Sequence, residues 1–187
     1  MAIEQPRYTV LRTDDRFELR RYQPCIVAET VVEDAELETG ITIGFRRLAG
    51  FIFGGNSAKE SIPMTAPVTT ARSEKIAMTA PVETQRRAEG MVMTFMMPSR
   101  YTLETLPEPV DPSVSIRRVP GRTMAAIKFS GSWSRERFEE HTEELLTWLR
   151  ERNLVVIGTP VVARYDAPWT PGFMRRNEVL VEIRMNP

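Results

Sequence analysis

The sequence predicts an α+β protein: a distorted antiparallel β-barrel from a duplicated β-α-β-β motif, with two main helices outside it or across its mouth. Three observations predict it. Several segments alternate apolar and polar residues at the period of a half-buried strand, and two longer ones carry apolar residues at helical spacing. The order strand, helix, strand, strand also occurs twice, over about 25–97 and again over about 123–185. Two such units packing their sheets together close most of a barrel around one core.

Each element follows from local chemistry. Three short strands are expected over residues 8–11, 17–22 and 25–32, punctuated by Asp14-Asp15 and Pro24. In the second, Phe17 and Leu19 alternate with Glu18 and Arg20, giving one dry face and one wet one. A helix follows over about 36–53, where Leu37, Ile41, Phe45, Leu48 and Ile52 form one apolar stripe. Gly40 and Gly44 lie beside that stripe, and a helix interior loses about 1 kcal/mol per glycine relative to alanine, so close approach of another surface is expected there. Gly54, Gly55 and Asn56 suit the helix exit. Residues 91–97 read as a strand with apolar residues on both faces, and 107–112 as a proline-rich spacer. In the second unit, residues 123–131 read as a strand, 134–152 as a helix capped by Ser134, and 161–166 and 177–185 as two more strands.

Composition narrows the function. The 187 residues are 42% hydrophobic and 27% charged, which suits one domain spanning 1–187. Lys plus Arg total 25 and Asp plus Glu total 25, so no broad basic field gathers nucleic acid or anionic lipid. The single cysteine, Cys25, lies in an apolar run and reads as a buried, inert thiol. Residues 1–10 carry neither a signal-peptide core nor a membrane span. A reducing, cytoplasmic protein, monomeric or weakly oligomeric and not inserted in membranes, is the expectation.

A heptapeptide recurs: Ile62-Pro63-Met64-Thr65-Ala66-Pro67-Val68 and Ile76-Ala77-Met78-Thr79-Ala80-Pro81-Val82. The spacing suits two adjacent extended segments with a turn near 71–74, and each Pro-Val ending suits an edge or barrel rim. These residues resemble the hallmark of the SOUL/haem-binding protein family. So do Phe45 to Asn56, Phe95-Met96-Met97-Pro98-Ser99, and the C-terminal pair Ala163-Arg164-Tyr165-Asp166-Ala167-Pro168 and Arg175-Arg176-Asn177-Glu178-Val179. The landmarks run in family order from about Arg7 to Arg184. The resemblance implies the duplicated barrel shared with GyrI-like effector-binding domains, and haem or porphyrin binding at an apolar surface beside the first helix. Where family members have been linked to a histidine ligand, it lies near that helix, and this chain has none there.

Haem needs an apolar face wide enough for its ring, cations for its propionates, and optionally a side-chain ligand for iron. The first helix offers Ile41, Phe45 and Leu48 as wall, Gly44 as a flattened step, and Arg46 and Arg47 as propionate partners. Equally, its glycines suit plain packing on a sheet. Six of the ten methionines lie between residues 64 and 97; Met64 and Met78 are the ligand-side candidates and the rest suit core filling. His141 is the sole histidine, so imidazole ligation of a metal falls to it, with helix-edge packing as the alternative. Residues for catalysis are sparse, although a carboxylate-plus-tyrosine hydrolase remains open through Glu178 and Tyr165. Two functions are therefore carried forward: a tetrapyrrole carrier or buffer, and a GyrI-like domain that binds or hydrolyses a flat or cationic organic molecule.

Overall fold

The computed structural model describes residues 4–33, 37–72, 90–131, 134–166 and 170–185. The second heptapeptide copy, with Met78, lies outside them. The strands are β1 (Tyr8–Asp14), β2 (Phe17–Tyr22), β3 (Cys25–Glu33), β4 (Val68–Arg72), β5 (Gly90–Met96), β6 (Val114–Val119), β7 (Arg122–Ser130), β8 (Val155–Val156), β9 (Val161–Arg164) and β10 (Arg176–Arg184). Helix α1 (Leu37–Ile52) follows β3, and α2 (Arg135–Glu151) follows β7. Ser134 caps α2 as expected, accepting from the Arg137 amide at 3.3 Å.

One curled sheet contains all ten strands, in the order β1-β2-β7-β10-β9-β4-β5-β3-β6, with β8 beside β10. Every pairing is antiparallel. The duplication shows in this order: β3, β5 and β4 of the first unit mirror β7, β10 and β9 of the second, and β4 meets β9 at the seam. No pairing joins β1 to β6 among the described residues, so the barrel is an open half-barrel.

Register fixes which face each side chain takes. Phe129, Asn177, Arg164, Val68, Phe95, Ala28 and Ile116 are partners in one row running across six pairings. Phe95 and Ala28 pack beneath α1, while Phe129 packs with the α2 core. Directly paired residues share a face, so both helices cover the same outer face of the sheet. The outer core has two parts. Under α1 lie Leu48, Phe51, Ile52, Ile62, Met93 and Phe95, and under α2 lie Leu19, Ile127, Leu145, Trp148, Leu149 and Val179.

Two strands were not legible beforehand. β6 forms from Val-Ser-Ile-Arg-Arg-Val, whose weak alternation is interrupted by consecutive arginines, and only its pairing with β3 makes it a strand. β8 is two residues long and held by the end of β10. The first heptapeptide copy is mainly a lead-in to β4: Ile62 is buried in the α1 core, and Thr65 donates to the Met96 carbonyl at 2.5 Å.

Candidate functional site

On α1, Leu48, Phe51 and Ile52 point into the sheet and are fully buried, while Ile41 is half-buried against the same core. Gly44 is the close approach that the sequence required. A Cβ there would sit 3.3 Å from both Cβ and Sδ of Met93, so even alanine requires Met93 to give by a few tenths of an ångström. Leu48 and Gly44 thus lie beneath the helix rather than on its outer surface.

The outer side of α1 is partly apolar. Phe45 is 37% exposed and leans edge-on against Phe95, ring centroids 5.6 Å apart. Ala49 is half-buried one turn later, and Phe53, next in that i, i+4 row, is 66% exposed. Phe53 bridges to Ser61, three residues before Met64, which is itself 36% exposed. Arg46 is exposed beside Phe45. Arg47 is tethered, its Nη1 donating to the Val31 carbonyl at 3.0 Å and to Thr30 Oγ1 at 3.4 Å.

The structure does not bring His141 to this surface. His141 lies on α2, buried against the Phe129 ring at 4.1 Å between centroids, with Nδ1 2.9 Å from Glu144 Oε2. Arg16 reaches the same Glu144 oxygen at 2.9 Å. Helix α2 sits on β7, β8 and β10 and reaches β1 and β2 through Trp148, whereas α1 sits on β3, β5 and β6. Among the described residues no group of three His, Cys, Asp or Glu is placed to hold a metal ion.

The inner face carries a network of which sequence reading had singled out only Glu178 and Tyr165. Arg20 and Glu178, 158 residues apart, are both without exposed surface. Arg20 donates to both Glu178 oxygens, at 2.6 and 3.0 Å, to Glu18 at 2.7 Å, and to the Tyr22 hydroxyl at 2.9 Å. Arg176 donates twice to Glu178 Oε1, at 3.1 and 2.7 Å, and the Tyr165 hydroxyl donates to Oε2 at 2.8 Å. Lys128 completes the network at Glu18. Guanidinium groups also stack, Arg20 over Tyr8 at 4.6 Å and Arg176 over Tyr165 at 4.0 Å.

Burial pushes the Glu178 carboxyl upward, but the hydrogen bonds and charges of Arg20 and Arg176 outweigh it and hold the group below its ordinary value. Glu18 is likewise low, burial being outweighed by Lys128 and Arg20. Burial, helped by the neighbouring Glu178 charge, raises the Tyr165 phenol above its usual range. The Glu178–Tyr165 pair considered for hydrolysis is therefore a satisfied structural contact, with both carboxylate oxygens engaged.

Two cavities stand out, and neither is lined by α1. The larger, about 420 Å³, lies between residues 4–7, the start of β3 and the segment after β5, with Arg7, Cys25, Met97, Tyr101 and Arg118 among its walls. The smaller, about 90 Å³, opens on the inner face between the two units. Cys25 borders both and is half-buried, where the sequence had suggested full burial; burial still pushes its thiol pKa up.

A curled antiparallel half-barrel with two helices on its outer face is the fold of GyrI-like effector-binding domains. The EcmrR C-terminal domain has it, superposing with a TM-score of 0.67 over 96% of this chain and 99% of that one, at 12% identity. The chain belongs to the family described as SOUL heme-binding protein, whose model matches residues 3–182. Heme-binding protein 2 of Homo sapiens is 27% identical over 135 residues, 72% of this chain and 62% of that protein. Heme-binding protein 2 of Mus musculus is 34% identical over 73 residues, 37% of this chain and 36% of that protein. The chain thus spans less than two thirds of the length of these curated relatives. Among the described residues, no helix is long and apolar enough to cross a membrane.

Proposed function

We propose that this chain, as a single domain, binds haem or a related porphyrin reversibly, as a carrier or buffer, against the outer side of α1. The observation that carries this reading is the exposed apolar row of Phe45, Ala49 and Phe53, with Met64 nearby and Arg46 at its edge. Exposed aromatics at helical spacing are costly to leave in water, and a flat apolar ring is a guest that covers them. Family membership supports the same ligand.

The residues fit the macrocycle better than they fit a bound iron. Phe45 and Phe53 offer faces and edges for stacking, Ile41 backs the wall from half-depth, and Leu48 and Gly44 hold the helix rigidly on β5. Arg46 meets a propionate in bidentate fashion, and Arg47 adds its remaining N–H donors. Met64 supplies the thioether on this side. Haem bound in this way is cargo. The half-buried Cys25 thiol, held protonated, suits a reducing, cytoplasmic setting.

Titration with haemin and, in parallel, with metal-free protoporphyrin tests the proposal. The expected result is a saturable one-to-one Soret shift with haemin and comparable affinity for the metal-free ring. Spectral change that never saturates, as porphyrin aggregation gives, would refute it.

A further inference from the structure

We propose that the inner cleft is a second, independent binding site, for a small organic anion with an apolar tail of the arylacetate or short branched-chain carboxylate type. Its walls are apolar: Val27, Met96, Val119, Met124 and Leu180 all line it. At about 90 Å³ it is smaller than the cavity of about 150 Å³ that holds one benzene ring, so a single ring or branched chain enters part-way and a tetrapyrrole does not. This site is therefore distinct from the α1 surface proposed for haem.

Charge sets the sign of the guest. The described residues lining the cleft include two arginines, Arg117 and Arg122, and no carboxylate. Pairing places Arg117 opposite Val27 and Arg122 opposite Tyr22, on the wall strands themselves. Arg117 uses Nε and Nη2 on Glu29, at 2.9 and 2.6 Å, which leaves Nη1. Arg122 approaches Glu182 only to 3.7 Å, beyond hydrogen-bond reach, so its donors are not committed there. Tyr22 adds a third donor, because its hydroxyl accepts from Arg20 at 2.9 Å and keeps its own proton to give. Burial pushes the Tyr22 phenol up to about 12, so that proton is retained at neutral pH.

The sequence had left open a cationic guest. The network behind the cleft argues against one: Arg20, Arg176 and Lys128 face Glu18 and Glu178, three positive charges against two negative, while Arg117 and Arg122 are matched by Glu29 and Glu182, leaving one positive charge in excess. Glu178, the buried carboxylate behind the cleft, has both oxygens filled by Arg20, Arg176 and Tyr165. An incoming cation meets an excess of like charge in a low-dielectric wall, and an anion meets donors.

Amide-resolved NMR titration separates the possibilities, using phenylacetate, benzyl alcohol and benzylamine as probes of one shape and three charges. Phenylacetate should move the Val27, Met96, Val119 and Met124 signals, and benzylamine should leave them in place. The substitutions Arg117→Gln and Arg122→Gln together should weaken phenylacetate about tenfold, the loss expected for charged hydrogen bonds, with the protein still folding cooperatively and thermal unfolding lowered only modestly by the lost Glu29 contact. Equal binding of benzylamine, or phenylacetate shifts that ignore the double substitution, would overturn the proposal. Haemin affinity should be unaffected by the same pair; if it falls in parallel, the two sites are one and their independence is refuted.

Discussion

In the second unit every exposed position of α2 is polar; of its large apolar residues, Leu145, Trp148 and Leu149 are buried and Phe138 and Leu146 half-buried. In the first unit α1 shows Phe45 to solvent over a core of Met91, Met93, Phe95 and Met97, with Phe53 exposed just past its end. Beneath α2, on the inner face, stands the locked ion network of Arg20 and Glu178. Inside the first unit the inner face is Val27, Thr94 and Met96. Duplication gave two copies of one path, and the contrast between the helices teaches that α2 has closed its outer side while α1 retains apolar surface to cover; the exposed apolar residues of the second unit, such as Phe173 and Met174, lie off its helix, between β9 and β10.

The largest test of that contrast is Arg20→Met. It removes the main partner of a fully buried carboxylate and should cost about 3–5 kcal/mol in chemical denaturation, with haemin affinity of the folded fraction unchanged. The pair Arg20→Met with Glu178→Leu should recover much of that loss. Second is Gly44→Val in the first unit, which forces two methyl groups against Met93. An overpacking cost of about 1–3 kcal/mol is expected, with haemin binding weakened because the ledge moves.

Acid sensitivity comes next. Glu178 and Glu18 are held below their ordinary values, so the unfolded chain binds more protons than the folded one as pH falls. Their contribution is fully present above the unfolded carboxylate pKa of about 4.3 and is lost as pH falls through the depressed folded values. Denaturant midpoints should therefore hold steady from neutral pH to about 4.5 and drop below it. A drop that begins well above that pH would contradict this assignment. The smallest effect is His141→Ala, which breaks the Glu144 contact and should cost about 1 kcal/mol while leaving the haemin spectrum as it was.

Much of the fold was legible because its strands and helices bury one face each. Phe17 to Tyr22, the α1 stripe and the Ser134 cap all announce themselves locally. The face assignment of β10 was also readable, with Val179, Val181 and Ile183 set toward one side and Glu178 and Leu180 toward the other. What could not be read was that this second side is closed: Arg20 and Glu178 meet only because β2, β7 and β10 are neighbours, a fact of register across 158 residues. Charged residues at inward positions of two strands, Glu18 and Arg20 on β2 and Arg176 and Glu178 on β10, were the available signal. Phe53 escaped notice for a different reason, since it falls just past the stripe, where the helix ends and the chain bends toward Ser61. The candidates on α1 share one helical period, yet that period cannot say which of Gly44, Phe45 and Leu48 faces the sheet.

The central claim is that the outer side of α1 holds the tetrapyrrole, and the double substitution Arg46→Glu with Phe53→Ser tests it most directly. Both residues are exposed, so thermal unfolding should shift little. Haemin affinity, read from the Soret titration, should fall about tenfold or more, through lost stacking and a reversed charge at the propionate. Unchanged affinity in that variant, together with loss of binding on Arg118→Glu in the 420 Å³ groove, would contradict the account and move the site to the other end of β3.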